Sequence, residues 1–557
     1  MSAHAHAPRP GPGLGDAGFG LSARQWTLLV AALLGLSTLL KLYHLTAPAL
    51  DWHSWKQITT LAKARYIYRD GLVSFFIPRV DVFTSLDLNS NVGFAEVPIL
   101  HLLMACGYWL IGGEAEWVGR VWAIAFSLLG GVYLALLVRG RMPGFAAAAA
   151  LAVYALSPMN TYFYRTLITD VPMTAMTIMG VYHFVRWMED GRARDGVWCT
   201  VATALAALFK PYALFIGAAY AWVILRREGW RGLFRPGRLA LGAGSVVPVA
   251  AWLLWGYLQF PDRPHNLTAS DDLLGRWSEL ADLDYYSALW ARLVDFALTP
   301  FVGLAFVAAA LGALWGAWRR VRGPQRAGNP PESWWTRPWP DWLVGWWLGA
   351  LIYLALVRRG NHEHDYYQMC LLPALAAGAG LGVHAWWRWI VGLALPLAPS
   401  RRRSRWNWIQ WISVGLAVLS VLYAEYRAYG KTTLEMDSYF AGRAVAAVRQ
   451  DDEKTLYSES GGLRFQQLLY YTGGKGWRLA EGFTGYKDIQ PYYEQGARYF
   501  VVSMRAYDWE RGMYPVPLAD ALLKSGHLLE LARSSSELDR YDRVRTWVAY
   551  RLVDRSP

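Results

Sequence analysis

Long apolar runs separated by short polar stretches dominate this chain. They cover residues 25–45, 97–112, 118–138, 143–158, 171–188, 197–209, 212–225, 239–259, 293–317, 341–357, 366–392 and 407–424. Crossing a bilayer takes about 20 apolar residues in a helix, so the pattern predicts a mainly α-helical, polytopic membrane protein. From about residue 432 the pattern changes. Strand-like runs at Thr455–Ser458, Arg498–Ser503 and Val544–Leu552 alternate with helix-like ones at Ala441–Arg449, Leu463–Tyr471 and Ala519–Ser525. That alternation predicts a small soluble α/β domain over 432–557, after a membrane domain over 23–431. Residues 1–22 are rich in Gly, Pro, Ala and His without an apolar face, and read as a disordered cytoplasmic tail.

Charge sets the number of crossings. The basic clusters are Arg139/Arg141, Arg186/Arg192/Arg194, Arg226/Arg227/Arg231/Arg235/Arg238, Arg319/Arg320/Arg322/Arg326 and Arg401/Arg402/Arg403/Arg405. If all runs crossed, these clusters would lie outside; if 97–112 lies along the surface, all fall inside, as the positive-inside rule prefers. The expectation is therefore eleven spans, with 97–112 as an interfacial helix and 197–209 with 212–225 as a short hairpin. Segments 46–117, 159–170, the turn at Lys210, 260–292, 358–365 and the C-terminal region then share the outer side.

Composition agrees with a membrane protein. The chain is 54% hydrophobic and 17% charged, with 31 Trp and 32 Tyr, and its mean hydropathy is +0.16. The net charge of +13 is spread in clusters between apolar runs, so it fits membrane topology better than nucleic-acid binding. Cys106, Cys199 and Cys370 show no ligand spacing and read as small core residues. The Thr472-Gly473-Gly474-Lys475-Gly476 stretch lacks the P-loop pattern and no GxGxxG follows a strand, so no nucleotide cofactor is expected.

Five polar features gather on the outer side. Asp51, with His53, Trp55 and Lys56, opens a surface helix expected over 52–70. Glu96 opens the interfacial helix, and Asp170 stands at the mouth of a span before Pro172. Lys210 precedes Pro211. The last is Asn361-His362-Glu363-His364-Asp365-Tyr366-Tyr367, followed by Leu372-Pro373. Each has a plain alternative: Asp51, Glu96 and Asp170 as helix caps, Lys210 as a snorkelling anchor, the histidine cluster as a solvated loop. Together they suit sugar transfer from a lipid phosphate. A carboxylate can take the proton of an acceptor hydroxyl, cations or a metal can stabilise the departing phosphate, and aromatic rings can line the sugar site.

On these residues the chain resembles the GT-C glycosyltransferases, specifically the protein O-mannosyltransferase and aminoarabinose lipid A transferase superfamily (family 39-like). The matching stretches are Asp51-Trp52-His53-Ser54-Trp55-Lys56-Gln57, Ala95-Glu96-Val97-Pro98, Asp170-Val171-Pro172-Met173, Lys210-Pro211 and His364-Asp365-Tyr366-Tyr367 with Leu372-Pro373. Val97 stands where Lys is usual, and Trp52 stands at the second place of an Asp-Glu pair. The resemblance implies Asp51 as general base and Asp170 as a second catalytic residue positioning the acceptor. It implies Lys56 and Lys210 on the donor phosphate, and His53, Trp55, His364, Tyr366 and Tyr367 around the substrate. It also implies a divalent metal held by Glu96 with His265. The implied donor is a polyprenyl-phosphate sugar, the acceptor a protein, lipid or glycan hydroxyl, and the outcome inversion at the cell (inner or plasma) membrane. Two alternatives stay open: a lipid-linked-sugar flippase, which predicts mid-span charges and repeated halves, and a non-catalytic membrane scaffold.

Overall fold

The computed structural model describes residues 21–261, 277–322, 339–394, 408–459, 465–479, 481–505, 510–538 and 544–554. The expected N-terminal tail lies almost wholly outside them. Among the described residues, five helical segments are long and apolar enough to cross a membrane: Ala23–Lys41, Glu116–Val138, Pro236–Gln259, Pro300–Trp318 and Asp365–Ile390. Their outward faces carry exposed Leu28, Leu39, Val121, Leu254, Tyr257, Leu304 and Leu311, as hydrocarbon contact requires. The chain is thus a multi-pass membrane protein. The other apolar runs form helices that are shorter or more polar, among them Gly144–Leu156 and Asp341–Leu356.

Helices meet where small residues let backbones approach. A Cβ on Gly380 would stand 2.4 Å from the Ala146 carbonyl oxygen, so the Leu372–Ala394 helix can pack on Gly144–Leu156 only with glycine there. The expected interfacial segment is the Ile99–Ile111 helix, 13 residues long. At 1.5 Å per residue it spans only about 20 Å, and it packs on the Ser54–Asp70 helix.

The Ser54–Asp70 helix is the hub of the segment between the Ala23–Lys41 and Glu116–Val138 helices. Its sequence is rich in Ala, Leu, Lys, Arg and Gln, which favour helix, and it ends at Gly71 with φ of 76°. Buried residues recur around most of its circumference, from Ser54 and Gln57 to Lys63, Arg65 and Ile67.

The C-terminal region forms a six-stranded sheet. Its strands are β1 (Val82–Phe83), β2 (Lys454–Glu459), β3 (Gly476–Arg478), β4 (Ala497–Arg505), β5 (Leu528–Leu538) and β6 (Val544–Leu552). The order is β1-β3-β2-β4-β6-β5; pairs among β1–β4 are parallel, and those made by β6 are antiparallel. Alternation along β4 sends Phe500 and Val502 to one core with Trp477 and Val548, and Tyr499 and Val501 to another with Val445 and Leu468. The predicted strands β2, β4 and β6 are present. The glycine-rich turn also leads into an unexpected strand, β3.

Strand β1 comes from the loop after the first span, with Val82 opposite Gly476 and Phe83 opposite Trp477. This loop is therefore part of the C-terminal sheet. A second tie is the Phe465–Thr472 helix against the hub helix. Gln467 Nε2 donates to Ser54 Oγ at 2.9 Å, and the Arg65 guanidinium lies 3.8 Å from the Tyr470 ring centroid.

Candidate active site

Asp51 precedes the hub helix and is buried, at 1% exposure. Its side chain does not cap that helix: Gln57 Nε2 donates to Oδ1 at 2.5 Å and Arg165 Nη2 to Oδ2 at 3.0 Å. Arg165 also donates to the Tyr43 carbonyl, and Gln57 Oε1 accepts from the Leu167 amide at 3.3 Å. A carboxylate offers about four acceptor positions, so these two donors leave lone pairs for a further hydroxyl. Arg165 lines a cavity of about 320 Å³ with Leu39, Tyr43, Tyr162, Glu425 and Tyr429.

One residue along the same helix, Lys56 turns to another group. Its Nζ lies 3.1 Å from Glu96 Oε1. The same oxygen is 3.8 Å from Lys210 Nζ and accepts from Thr169 Oγ1 at 2.9 Å. Burial disfavours the charge on Glu96, but Lys56, Lys210 and Lys63 outweigh it and hold the carboxyl well below its ordinary range. Asp170, fully buried, lies in the first turn of the Asp170–Asp190 helix. Its Oδ1 accepts from the Tyr212 hydroxyl. Its Oδ2 has no hydrogen bond and lies 3.8 Å from Lys210 Nζ. Burial lowers the Lys210 ammonium's proton affinity, but Asp170 and Glu96 reverse this and raise it. The Tyr212 and Tyr367 rings stand 5.7 and 5.6 Å from that ammonium.

The third group is built on His53, the residue before the hub helix, with φ of 56°. That left-handed backbone is costly for a residue with a Cβ and marks strain of the kind found at functional sites. His53 Nε2 is 2.6 Å from Asp365 Oδ1. The Trp52 indole reaches the same oxygen at 3.4 Å, and Lys431 Nζ meets Oδ2 at 3.1 Å. His364 stacks on Tyr366 and Tyr367, with ring centroids 5.2 and 5.6 Å away, and stands 5.8 Å from Trp55. Burial, with His53 nearby, pushes His364 down to about 4, so it is neutral at physiological pH. A cavity of about 230 Å³ opens here between His53, Asp365, Lys431, Arg292 and Arg427.

Ten of the expected site residues thus lie in three adjoining groups; His265 lies outside the described residues. Asp51 and Lys56, expected at the start of one surface helix, meet separate partners: Asp51 precedes the Ser54–Asp70 helix and Lys56 lies on it. Glu96, expected as a metal ligand, is paired with the Lys56 and Lys210 ammonium groups, which disfavour a divalent cation beside it. Among the described residues no three His, Cys, Asp or Glu side chains gather around a common point. The residues described do not fit a metal, and no step is derived through one.

Arg165, Lys63, Tyr212 and Lys431 join the site beyond the expected stretches, and Gln57 and Asp365, within those stretches but without an expected role, complete it. Lys63 had a signal in the sequence, since it follows Lys56 by seven residues on the same helical face. Arg165 and Lys431 had none, because their partners lie far away along the chain.

The residues that carry this geometry fall partly inside a known family. Residues 96–255, which include Glu96, Asp170 and Lys210, match the family described as dolichyl-phosphate-mannose-protein mannosyltransferase. No curated protein matches the chain in sequence at a significant level. In structure it resembles ArnT from Cupriavidus metallidurans bound to undecaprenyl phosphate, at a TM-score of 0.58 and 16% identity, over 95% of this chain and 98% of that one. The apo form of that protein gives 0.57 over the same shares, also at 16% identity. The archaeal oligosaccharyltransferase AglB from Archaeoglobus fulgidus, in complex with an inhibitory peptide and a dolichol-phosphate, gives 0.53 at 12% identity, over 86% and 69% of the two chains. The chain therefore has the GT-C fold, which it shares with ArnT and AglB.

Proposed function

We propose that the protein is an inverting membrane glycosyltransferase that moves a sugar from a polyprenyl-phosphate donor to an acceptor hydroxyl at the outer face of the cell membrane. The observation that carries this is the convergence of Lys56 and Lys210 on Glu96, 3.1 and 3.8 Å away, in a buried cluster beside the Tyr212 and Tyr367 rings. Buried ammonium groups are costly unless paired. Here they are paired yet remain in cationic excess, because Lys63 adds a third charge against Glu96 and Asp170. Such a cluster suits a phosphate.

Asp51 acts as general base and Asp170, through its free oxygen, positions the acceptor. The acceptor oxygen attacks the anomeric carbon as its proton passes to Asp51. The carbon–oxygen bond to phosphate breaks, and its electron pair stays on the phosphate. His53, Trp55, His364, Tyr366 and Tyr367 line the sugar and acceptor side. Residues 432–557 cover the site from the outside, and the lipid chain of the donor lies along the membrane-spanning helices. A flippase would call for charges in mid-span; the groups described here sit at helix ends and in loops, which favours the transferase.

The test is transfer of a labelled sugar from a polyprenyl phosphate to the membrane's own acceptors. Lys56→Met and Lys210→Met should each cut transfer by tenfold or more (about 1.4 kcal/mol per tenfold). Unchanged transfer in both would remove the phosphate site from this cluster.

A further inference from the structure

Lys63 stands seven residues after Lys56 on the Ser54–Asp70 helix, on the same face. Its residue is 96% buried, with 4% exposure. Lys56 is bonded to Glu96, and Lys210 lies near Glu96 and Asp170. Lys63 has no hydrogen-bond or ion-pair partner among the described residues. Its Cε lies beneath Gly93, where a Cβ would come within 3.3 Å of it, so the loop that delivers Glu96 leaves room for this side chain. Glu96, Lys56 and Lys210 all act on its charge, and buried His101 faces it from the Ile99–Ile111 helix. An ammonium buried with nothing to bind is costly.

Sugar transfer supplies a group that meets this vacancy of charge. A polyprenyl-phosphate sugar is a phosphodiester with one negative charge. When the anomeric carbon–oxygen bond breaks, its electron pair remains on the phosphate, and the proton of the acceptor hydroxyl goes to Asp51. The product is a phosphate monoester, whose second ionisation near pH 6 gives it close to two charges at neutral pH. The additional charge develops in the transition state, where a group without a ground-state partner contributes most.

Resting on the function proposed above, we propose that Lys63 is a further phosphate-binding residue, one that engages the charge arising as the phosphate departs and so favours the monoester over the diester. The full-length protein in nanodiscs is titrated with undecaprenyl phosphate and with a polyprenyl-phosphate sugar, for wild type, Lys63→Met and Lys63→Arg. Lys63→Met should weaken undecaprenyl phosphate about tenfold, change affinity for the sugar donor by no more than about threefold, and lower kcat more than it raises KM. Lys63→Arg should keep the preference for the monoester. Equal losses for both lipids, or none, would overturn the assignment to Lys63. Should Lys63→Met fail to fold, the Lys63→Arg comparison decides, and loss of the monoester preference there overturns it. If the wild-type protein binds neither lipid, it is the underlying transferase reading that fails.

Discussion

The Arg165 guanidinium donates to Asp51 at 3.0 Å, and the two side chains are 3% and 2% exposed. This pair joins the end of the first span to the loop before the Asp170–Asp190 helix, because Arg165 holds the Tyr43 carbonyl as well. Removing one partner of a buried pair leaves the other charge stranded, at about 3–5 kcal/mol. Arg165→Met should therefore lower the melting temperature in detergent by several degrees. A variant as stable as wild type would show that the pair has no structural weight.

Asp51→Asn keeps the side-chain volume and can still accept from Gln57 through its carbonyl oxygen. It cannot take a proton. Turnover should fall by about 10²- to 10⁴-fold, with donor affinity within about threefold of wild type. Both are measured on one preparation, so that loss of fold is separated from loss of base. Full turnover would transfer the base role elsewhere.

His364 gives a pH dependence of defined sign. Its ordinary value is 6.5, and burial beside His53 takes it to about 4 in the folded protein. The unfolded chain then binds the proton more readily, so stability falls as pH drops from about 6.5 towards 4 and levels off below. The loss is about 3 kcal/mol. His364→Gln should flatten the melting-temperature profile in this window. An unchanged profile would assign the acid sensitivity to other groups.

Phe83 is buried against Trp477, their ring centroids 4.8 Å apart, and ties its loop to the C-terminal sheet. Phe83→Ala should cost about 3–5 kcal/mol of local stability and expose the loop. Limited trypsin digestion reads this as faster cleavage at Arg79. Equal protection would mean that the loop is held elsewhere.

Period and charge made much of this molecule legible. The apolar runs, the hub helix and strands β2, β4 and β6 follow from periodicity. Asp51, Glu96, Asp170 and Lys210 stood out as charges at the ends of apolar runs, where they are costly. Their partners were not legible, because pairing depends on which helix ends the fold brings together. Arg165 and Asp51 are 114 residues apart, and His53 and Asp365 are 312 apart. The two-residue strand β1 is too short to show alternation. The lysine partners of Glu96 were not legible either, because carboxylates suit lysine ammonium groups and metals alike.

The central claim, that Lys56 and Lys210 receive the phosphate of a polyprenyl-phosphate donor beside Asp51, is tested most directly by an experimental structure with undecaprenyl phosphate bound. The phosphate oxygens should lie within about 3.2 Å of the Lys56 and Lys210 ammonium groups. A phosphate more than about 10 Å from Asp51, well beyond reach through one water, would contradict the account.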